Sequence, residues 1–156
     1  MSLYARVVHH PIRVQALVDE VGGPEDGAVL VFLGTVRDHN DGRRVEGVRY
    51  EAYESMAREV LEEILVDASR ATGVDRIGAL HRVGELSVGD VSVAIVVASP
   101  HREQAYAASR RVIEEIKARL PVWKKELYVD GRETWLEGRD PRFAGSPAGR
   151  SAGGSE

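Results

Sequence analysis

Two nearly uninterrupted apolar segments constrain the fold of this chain more than any other feature. Residues 27–37 and 91–99 hold almost no polar side chains, which is typical of strands buried on both faces of a sheet. Residues 55–73 and 102–120 instead repeat apolar side chains at helical spacing, and Pro121 ends the second of these helices. The chain therefore predicts two main helices packed on a sheet.

The remaining segments are shorter. Further strands are expected over 4–8, 45–53, 76–83, 122–129 and 133–137, with a short helix over 12–21, a polar loop over 38–44 and a linker over 84–90. Ser55 is expected to cap the first long helix, and Gly73 to end it. This order predicts an α+β (mixed α/β) fold with one domain over residues 1–138. From residue 139 onward, 12 of 18 residues are Gly, Ser, Pro or Ala, which predicts a flexible tail.

Lysine is confined to one short segment. The chain has 18 arginines but only three lysines, Lys117, Lys124 and Lys125. Lysine, unlike arginine, can release its proton when burial or neighbouring cations lower its pKa, so this bias predicts a site that needs an amine. Because Pro121 turns the chain, Lys117 and Lys124 are expected to face one pocket. The alternative is chance clustering, with Lys117 acting only as a cation at a helix C-terminus.

The lysines lie in a basic part of an acidic chain. Residues 101–125 contain seven Lys or Arg and three Glu, a balance of +4 within a total of −4. This local charge predicts a small anionic ligand rather than a nucleic acid. His101 and Arg102 stand at a helix N-terminus, a position that binds phosphate, although a capping His and a solvated Arg are the alternative. If the two apolar strands are neighbours, Arg37 is expected at the same edge of the sheet.

Residue types exclude several other chemistries. The chain has no cysteine, which excludes disulfides, thiolate catalysis and sulfur carried by the chain itself. His81 and Glu85 are four residues apart but lack an evident third ligand, so no metal is expected. No apolar segment is long enough to cross a membrane, and no secretory signal is evident at the N-terminus. We therefore expect a cytoplasmic protein that contacts neither membranes nor nucleic acids.

An ordered set of motifs resembles the large, catalytic subunit of molybdopterin synthase. In order, the motifs are Phe32-Leu33-Gly34-Thr35-Val36-Arg37, Tyr50-Glu51-Ala52-Tyr53 with Met56-Ala57, His81-Arg82-Val83-Gly84, Ser99-Pro100-His101-Arg102, Lys117, Pro121-Val122-Trp123-Lys124-Lys125-Glu126, and Asp130-Gly131 before Trp135. The resemblance implies an α/β hammerhead with an additional small α+β subdomain, and no cofactor.

The resemblance also implies a reaction and its partners. This family converts cyclic pyranopterin monophosphate into molybdopterin by installing two sulfur atoms as a dithiolene. The sulfur arrives as a thiocarboxylate on the C-terminal Gly-Gly of a small ubiquitin-like partner. The large subunit is a homodimer within a heterotetramer that contains one small subunit at each distal end.

The resemblance also implies a role for each residue that matches a functional position of the family. Lys117 is expected to be the main catalytic residue, as a general acid/base or by stabilising negative charge on oxygen, with assistance from Lys124. Substrate contacts are expected from Thr35, Val36, Arg37, His101, Arg102, Lys125, Glu126 and Arg139. Arg139 is expected to reach the neighbouring subunit's pocket.

Two other functions could use the same basic cleft. One is a non-catalytic module that binds an anionic metabolite, and the other is an adaptor that holds the acidic or extended tail of a partner. The lysine bias distinguishes them from the enzyme, because anion binding tolerates arginine at position 117 and proton transfer does not.

Overall fold

Three helices and two sheets make up the part of the chain that the computed structural model describes, residues 1–136. The elements are β1 (Ser2–Val8), α1 (Val14–Val21), β2 (Ala28–Thr35), β3 (His39–Asn40), β4 (Arg43–Ala52), α2 (Glu54–Thr72), β5 (Arg76–Arg82), β6 (Gly84–Ser87), β7 (Val91–Ser99), α3 (Arg102–Arg119), β8 (Val122–Tyr128) and β9 (Glu133–Leu136). The predicted α+β class and both long helices are confirmed. The predicted tail lies outside the described residues.

The first sheet contains both strands that come from the long apolar segments. Its order is β1-β5-β7-β2, with β1 and β5 parallel and the other pairs antiparallel. Helices α2 and α3 pack on one face, where Leu61, Ile64 and Val112 are fully buried against Ile95. Complete burial of each such side chain contributes about 1.5–3 kcal/mol, so this layer is the main stabilising core. The shorter α1 covers part of the opposite face.

The prediction of burial on both faces is correct for β7 and wrong for β2. Every residue of β7 after Val91 is buried. In contrast, β2 is an edge strand in which Val29, Val31 and Leu33 are 39–47% exposed. An apolar segment predicts that its side chains are buried, but it does not show what buries them. It therefore does not distinguish a central strand from an edge strand that another molecule covers.

The second sheet has the order β3-β4-β8-β9, with β6 also paired to β4. The expected loop over 38–44 and linker over 84–90 thus contain short strands. Asp41 and Gly42 join β3 to β4 with φ of 49° and 75°, as a two-residue type I′ turn requires.

The two ends of helix α2 differ in how well they were predicted. Ser55 is not a cap, because α2 begins at Glu54 without a side-chain cap. Gly73 ends the helix with φ of 76°, as predicted.

The pairing of strands brings distant segments together where the two sheets meet. After α3 ends, Pro121 leads into β8, which pairs with β4 so that Lys124 lies opposite Tyr50. In the first sheet, Gly34 near the end of β2 lies opposite Val93 near the start of β7. The last turn of α3, the end of β2 and the start of β8 therefore lie around a common space.

Candidate functional site

A cavity of about 330 Å³ occupies the space between the two sheets. This volume lies within the range of small-molecule binding sites. Strands from both sheets and the C-terminal half of α3 form its wall. The lining residues are Phe32, Gly34, Thr35, Arg37, Tyr50, His81, Ser92, Val93, Ile113, Ile116, Lys117, Leu120, Val122 and Lys124.

The cavity is strongly cationic. Arg37, Lys117 and Lys124 line it, and no Asp or Glu among the described residues does. The structure thus brings Lys117 and Lys124 into one cavity, as the turn at Pro121 predicts. Lys117 lies in the last turn of α3, on the same side of the helix as Ile113 and Ile116. Three cations around a partly enclosed space favour the binding of an anionic molecule.

Close packing of β2 against β7 shapes the wall that precedes Arg37. A Cβ atom at Gly34 would lie 2.6 Å from Cγ1 of Val93, so only glycine allows this approach. The hydroxyl of Ser92 donates a hydrogen bond to the Gly34 carbonyl at 3.1 Å. The pairing shifts register between Gly34 and Thr35, and this irregularity ends the strand beside the cavity.

Val36, which precedes Arg37, is fixed by side-chain packing and by two backbone hydrogen bonds. Its side chain is buried in a small cluster with Val48 and Leu86. Its backbone N–H donates to the Asp90 carbonyl at 3.0 Å, and its carbonyl accepts from the Gly89 N–H at 2.8 Å. Both backbone groups therefore bind within the chain, and Val36 does not line the cavity, so its predicted backbone contact with the substrate stays a prediction.

His81 is a cavity residue that the sequence analysis missed. It is 6% exposed, and its Nδ1 lies 2.9 Å from the Arg82 carbonyl oxygen. Its ring meets that of Tyr50 edge to face, with centroids 5.0 Å apart. Burial lowers the pKa of His81 to about 4, so the ring is neutral at pH 7. The signal that could have located it is a histidine that directly follows the apolar centre of a strand, Ile77–Leu80.

The buried His81 predicts a specific loss of stability in acid. The unfolded chain binds a proton at this group below its ordinary pKa of 6.5, whereas the folded chain does so only near 4. As the pH drops from 6.5 to 4, the contribution of His81 should therefore lower the free energy of unfolding by about 3 kcal/mol. Urea unfolding at several pH values should show a shallower pH dependence for His81→Gln than for the unmodified chain. Parallel pH profiles would contradict this assignment.

His101 and Arg102 do not reach the cavity of their own chain. Strands β2 and β7 are neighbours, but they are antiparallel, so the end of β2 adjoins the start of β7. His101 and Arg102 follow the end of β7 and border a separate depression beside Ala28, about 25 Å along the strand from Arg37. The expectation that Arg37 shares an edge with them is wrong within one chain, because two strand ends coincide only between parallel neighbours.

Lys125 and Glu126 follow Lys124 in β8, and neither lines the cavity. Strand alternation places Lys125 on the other face of the sheet, where it pairs with Glu133 and lies 5.1 Å from the centre of the Trp135 ring. That ion pair lowers the pKa of Glu133. Glu126 shares the face of Lys124 and is only 5% exposed, and its Oε2 has no hydrogen-bond partner among the described residues.

The last predicted contact, Arg139, lies outside the described residues. Within residues 1–136, no three side chains of His, Cys, Asp or Glu are arranged to hold a metal ion. Over the same range, none of the helices combines the length and apolar character needed to span a membrane.

The fold and the cavity together define an α+β protein with a cationic cavity of small-molecule size where its sheets meet. The family model of the MoaE protein matches residues 7–119. The molybdopterin synthase catalytic subunit of Halalkalibacterium halodurans is 42% identical over 130 residues, covering 83% of each chain. Molybdopterin synthase catalytic subunit 1 of Mycobacterium tuberculosis is 41% identical over 137 residues, covering 87% of this chain and 92% of that one.

The fold leads to the same family. The crystal structure of molybdopterin synthase from Staphylococcus aureus superimposes with a TM-score of 0.80 at 37% identity, covering 84% of this chain and 95% of that one. The chain therefore belongs to the MoaE family, whose members include these molybdopterin synthase catalytic subunits. The resemblance and the fold class that it implies are confirmed.

Proposed function

We propose that this chain is a sulfurtransferase that converts cyclic pyranopterin monophosphate into molybdopterin. Sulfur would come from the C-terminal thiocarboxylate of a small ubiquitin-like partner and form the dithiolene of the product. The observation that carries the proposal is the convergence of Arg37, Lys117 and Lys124 on one cavity of small-molecule size. Membership of the MoaE family supports it.

The substrate would bind through its negative charge. A cyclic phosphate needs hydrogen-bond donors and positive charge, and the guanidinium of Arg37 offers both in a planar arrangement suited to phosphate oxygens. Apolar side chains in the same wall, including Phe32 and Ile116, would pack against the pterin ring. Thr35 adds a hydroxyl beside Arg37.

The lysines would act on the reacting atoms. When a thiocarboxylate sulfur adds to the substrate, negative charge and protons must be redistributed on the neighbouring oxygen atoms. An amine at Lys117 can donate or accept a proton, or stabilise an oxyanion, and Lys124 can assist from the facing strand. The chain has no cysteine, so the sulfur has to enter on another molecule. A terminal Gly-Gly segment lacks side chains and needs little space to enter the cavity.

A second copy of the chain would complete the site. The exposed apolar residues Val29, Val31 and Leu33 lie on β2, which is an edge strand of the sheet formed by the described residues and can pair with a further strand. If two copies pair β2 antiparallel across a twofold axis, the end of β2 in one copy meets the start of β2 in the other. His101 and Arg102 of the partner subunit would then lie beside the cavity that holds Arg37. This arrangement explains how residues distant within one chain can serve one substrate.

Removal of the Arg37 guanidinium should weaken substrate binding. For Arg37→Ala we expect the dissociation constant of cyclic pyranopterin monophosphate to rise about 10- to 100-fold, the cost of a lost charged hydrogen bond. Titration calorimetry can measure this change. Arg110→Ala is the matched control, because Arg110 is exposed on α3 and, among residues 1–136, pairs with Glu114. Equal affinities of the Arg37 variant and the control would contradict a phosphate site at Arg37.

A further inference from the structure

We propose that His81 recognises the pterin ring of the substrate by accepting a hydrogen bond from a ring N–H group at its Nε2 atom. This inference rests on the proposed function and adds a contact that the cationic side chains are unable to make. It assigns a specificity role to a buried residue on β5, outside the basic segment of the chain.

Hydrogen bonding within the chain fixes the tautomer of His81. Its Nδ1 lies 2.9 Å from the Arg82 carbonyl oxygen, and a carbonyl oxygen can only accept. The proton of the neutral ring is therefore on Nδ1, and Nε2 carries a lone pair. Because Nδ1 is occupied, any hydrogen bond from His81 to a molecule in the cavity has to use Nε2 as an acceptor.

Packing fixes the direction of the ring. His81 is on β5, which lies between β1 and β7 in the sheet, and the side chain is 6% exposed while lining the cavity. The edge-to-face contact with Tyr50, at an interplanar angle of 77°, supports the ring from the second sheet. An acceptor held in this way can select one orientation of a planar ligand.

The acceptor complements the other polar groups of the wall. The charged lining residues Arg37, Lys117 and Lys124 have donors and no acceptors in their cationic forms, which suits phosphate and ring oxygens. A pterin also has N–H groups, from which these cations are unable to accept a hydrogen bond, and the hydroxyls of Thr35, Tyr50 and Ser92 are the other side-chain acceptors among the described lining residues. The neutral His81 supplies an acceptor without adding negative charge. Protonation would remove the acceptor and place a fourth positive charge in the cavity.

Two substitutions separate the roles of the ring nitrogens. The amide of His81→Asn can donate to the Arg82 carbonyl as Nδ1 does, but it is too short to reach the position of Nε2. The longer His81→Gln can place an amide oxygen near that position. We expect the Asn variant to raise the dissociation constant of cyclic pyranopterin monophosphate about tenfold, and the Gln variant to stay within about threefold of the unmodified chain.

A ligand without the pterin provides the control. Both variants should bind a cyclic phosphodiester that lacks the ring as tightly as the unmodified chain does, and kcat at saturating substrate should change little. Unchanged substrate affinity in the Asn variant would overturn the inference. Equal losses for both ligands in both variants would also overturn it, because they would show a purely structural role. Failure of the unmodified chain to bind cyclic pyranopterin monophosphate would instead refute the proposed function.

Discussion

Replacing Lys117 with arginine is expected to lower the rate of dithiolene formation at least about a hundredfold, the usual range for the loss of a general acid or base. Arginine keeps the positive charge that attracts the substrate to the cavity, but its guanidinium does not release a proton at any working pH. Substrate affinity and the melting temperature should therefore change little. Single-turnover assays with thiocarboxylated partner would measure the rate, and calorimetry the affinity.

The reverse exchange on the same helix is the control. Arg110 lies on the exposed side of α3, so Arg110→Lys should retain the full rate. A Lys117→Arg variant with an unimpaired rate would show that position 117 needs only a cation. In that case Lys117 would only attract the anionic substrate, and proton transfer would have to be assigned to another group.

Mixing two defective variants is expected to restore activity if each site is shared between two copies. Lys117→Ala should remove the amine from its own cavity, and Arg102→Ala should remove a substrate contact from the cavity of the partner subunit. After unfolding and refolding together, half of the dimers contain one copy of each variant. One of the two sites in such a dimer is intact, so about a quarter of all sites are intact. At substrate concentrations below the KM, the activity should therefore reach about a quarter of that of the unmodified chain.

The matched control for this experiment combines Lys117→Ala with Arg37→Ala. Both residues line the same cavity of one chain, so every site in a mixed dimer retains one defect and activity should not recover. Recovery in the control, or activity no higher than the mean of the two parents in the test mixture, would contradict a shared site.

The elements with strong internal periodicity could be predicted from the sequence. Helices α2 and α3 follow from the spacing of their apolar residues, and β7 follows from its nearly uninterrupted apolar sequence, because each buries its side chains within the chain. The edge position of β2 could not be predicted, because its exposed valines have the same composition as a buried strand. The antiparallel sense of the β2–β7 pair depends on how the whole sheet assembles, and this sense separates Arg37 from Arg102.

Site residues could be predicted where the composition of a segment indicated them, and they could not be predicted where only tertiary packing brings them to the cavity. The confinement of lysine to one segment indicated Lys117 and Lys124, and a single proline turn is enough to bring them together. The position of the His81 ring depends instead on a contact with Tyr50, which lies in the other sheet. These two residues are distant in the sequence, so no local pattern predicts their contact. For the same reason, the alternation that turns Lys125 away from the cavity becomes evident only once β8 is paired with β4.

Reconstitution of the reaction from purified components tests whether this chain transfers sulfur to the substrate. The purified chain would be mixed with cyclic pyranopterin monophosphate and a small partner whose C-terminus has been converted to the thiocarboxylate, and the products analysed by mass spectrometry. We expect a pterin that gains two sulfur atoms, with two partner molecules returned as carboxylates for each product formed. A substrate that remains free of sulfur while the thiocarboxylate stays intact, under conditions in which both bind the chain, would refute the proposed sulfur transfer.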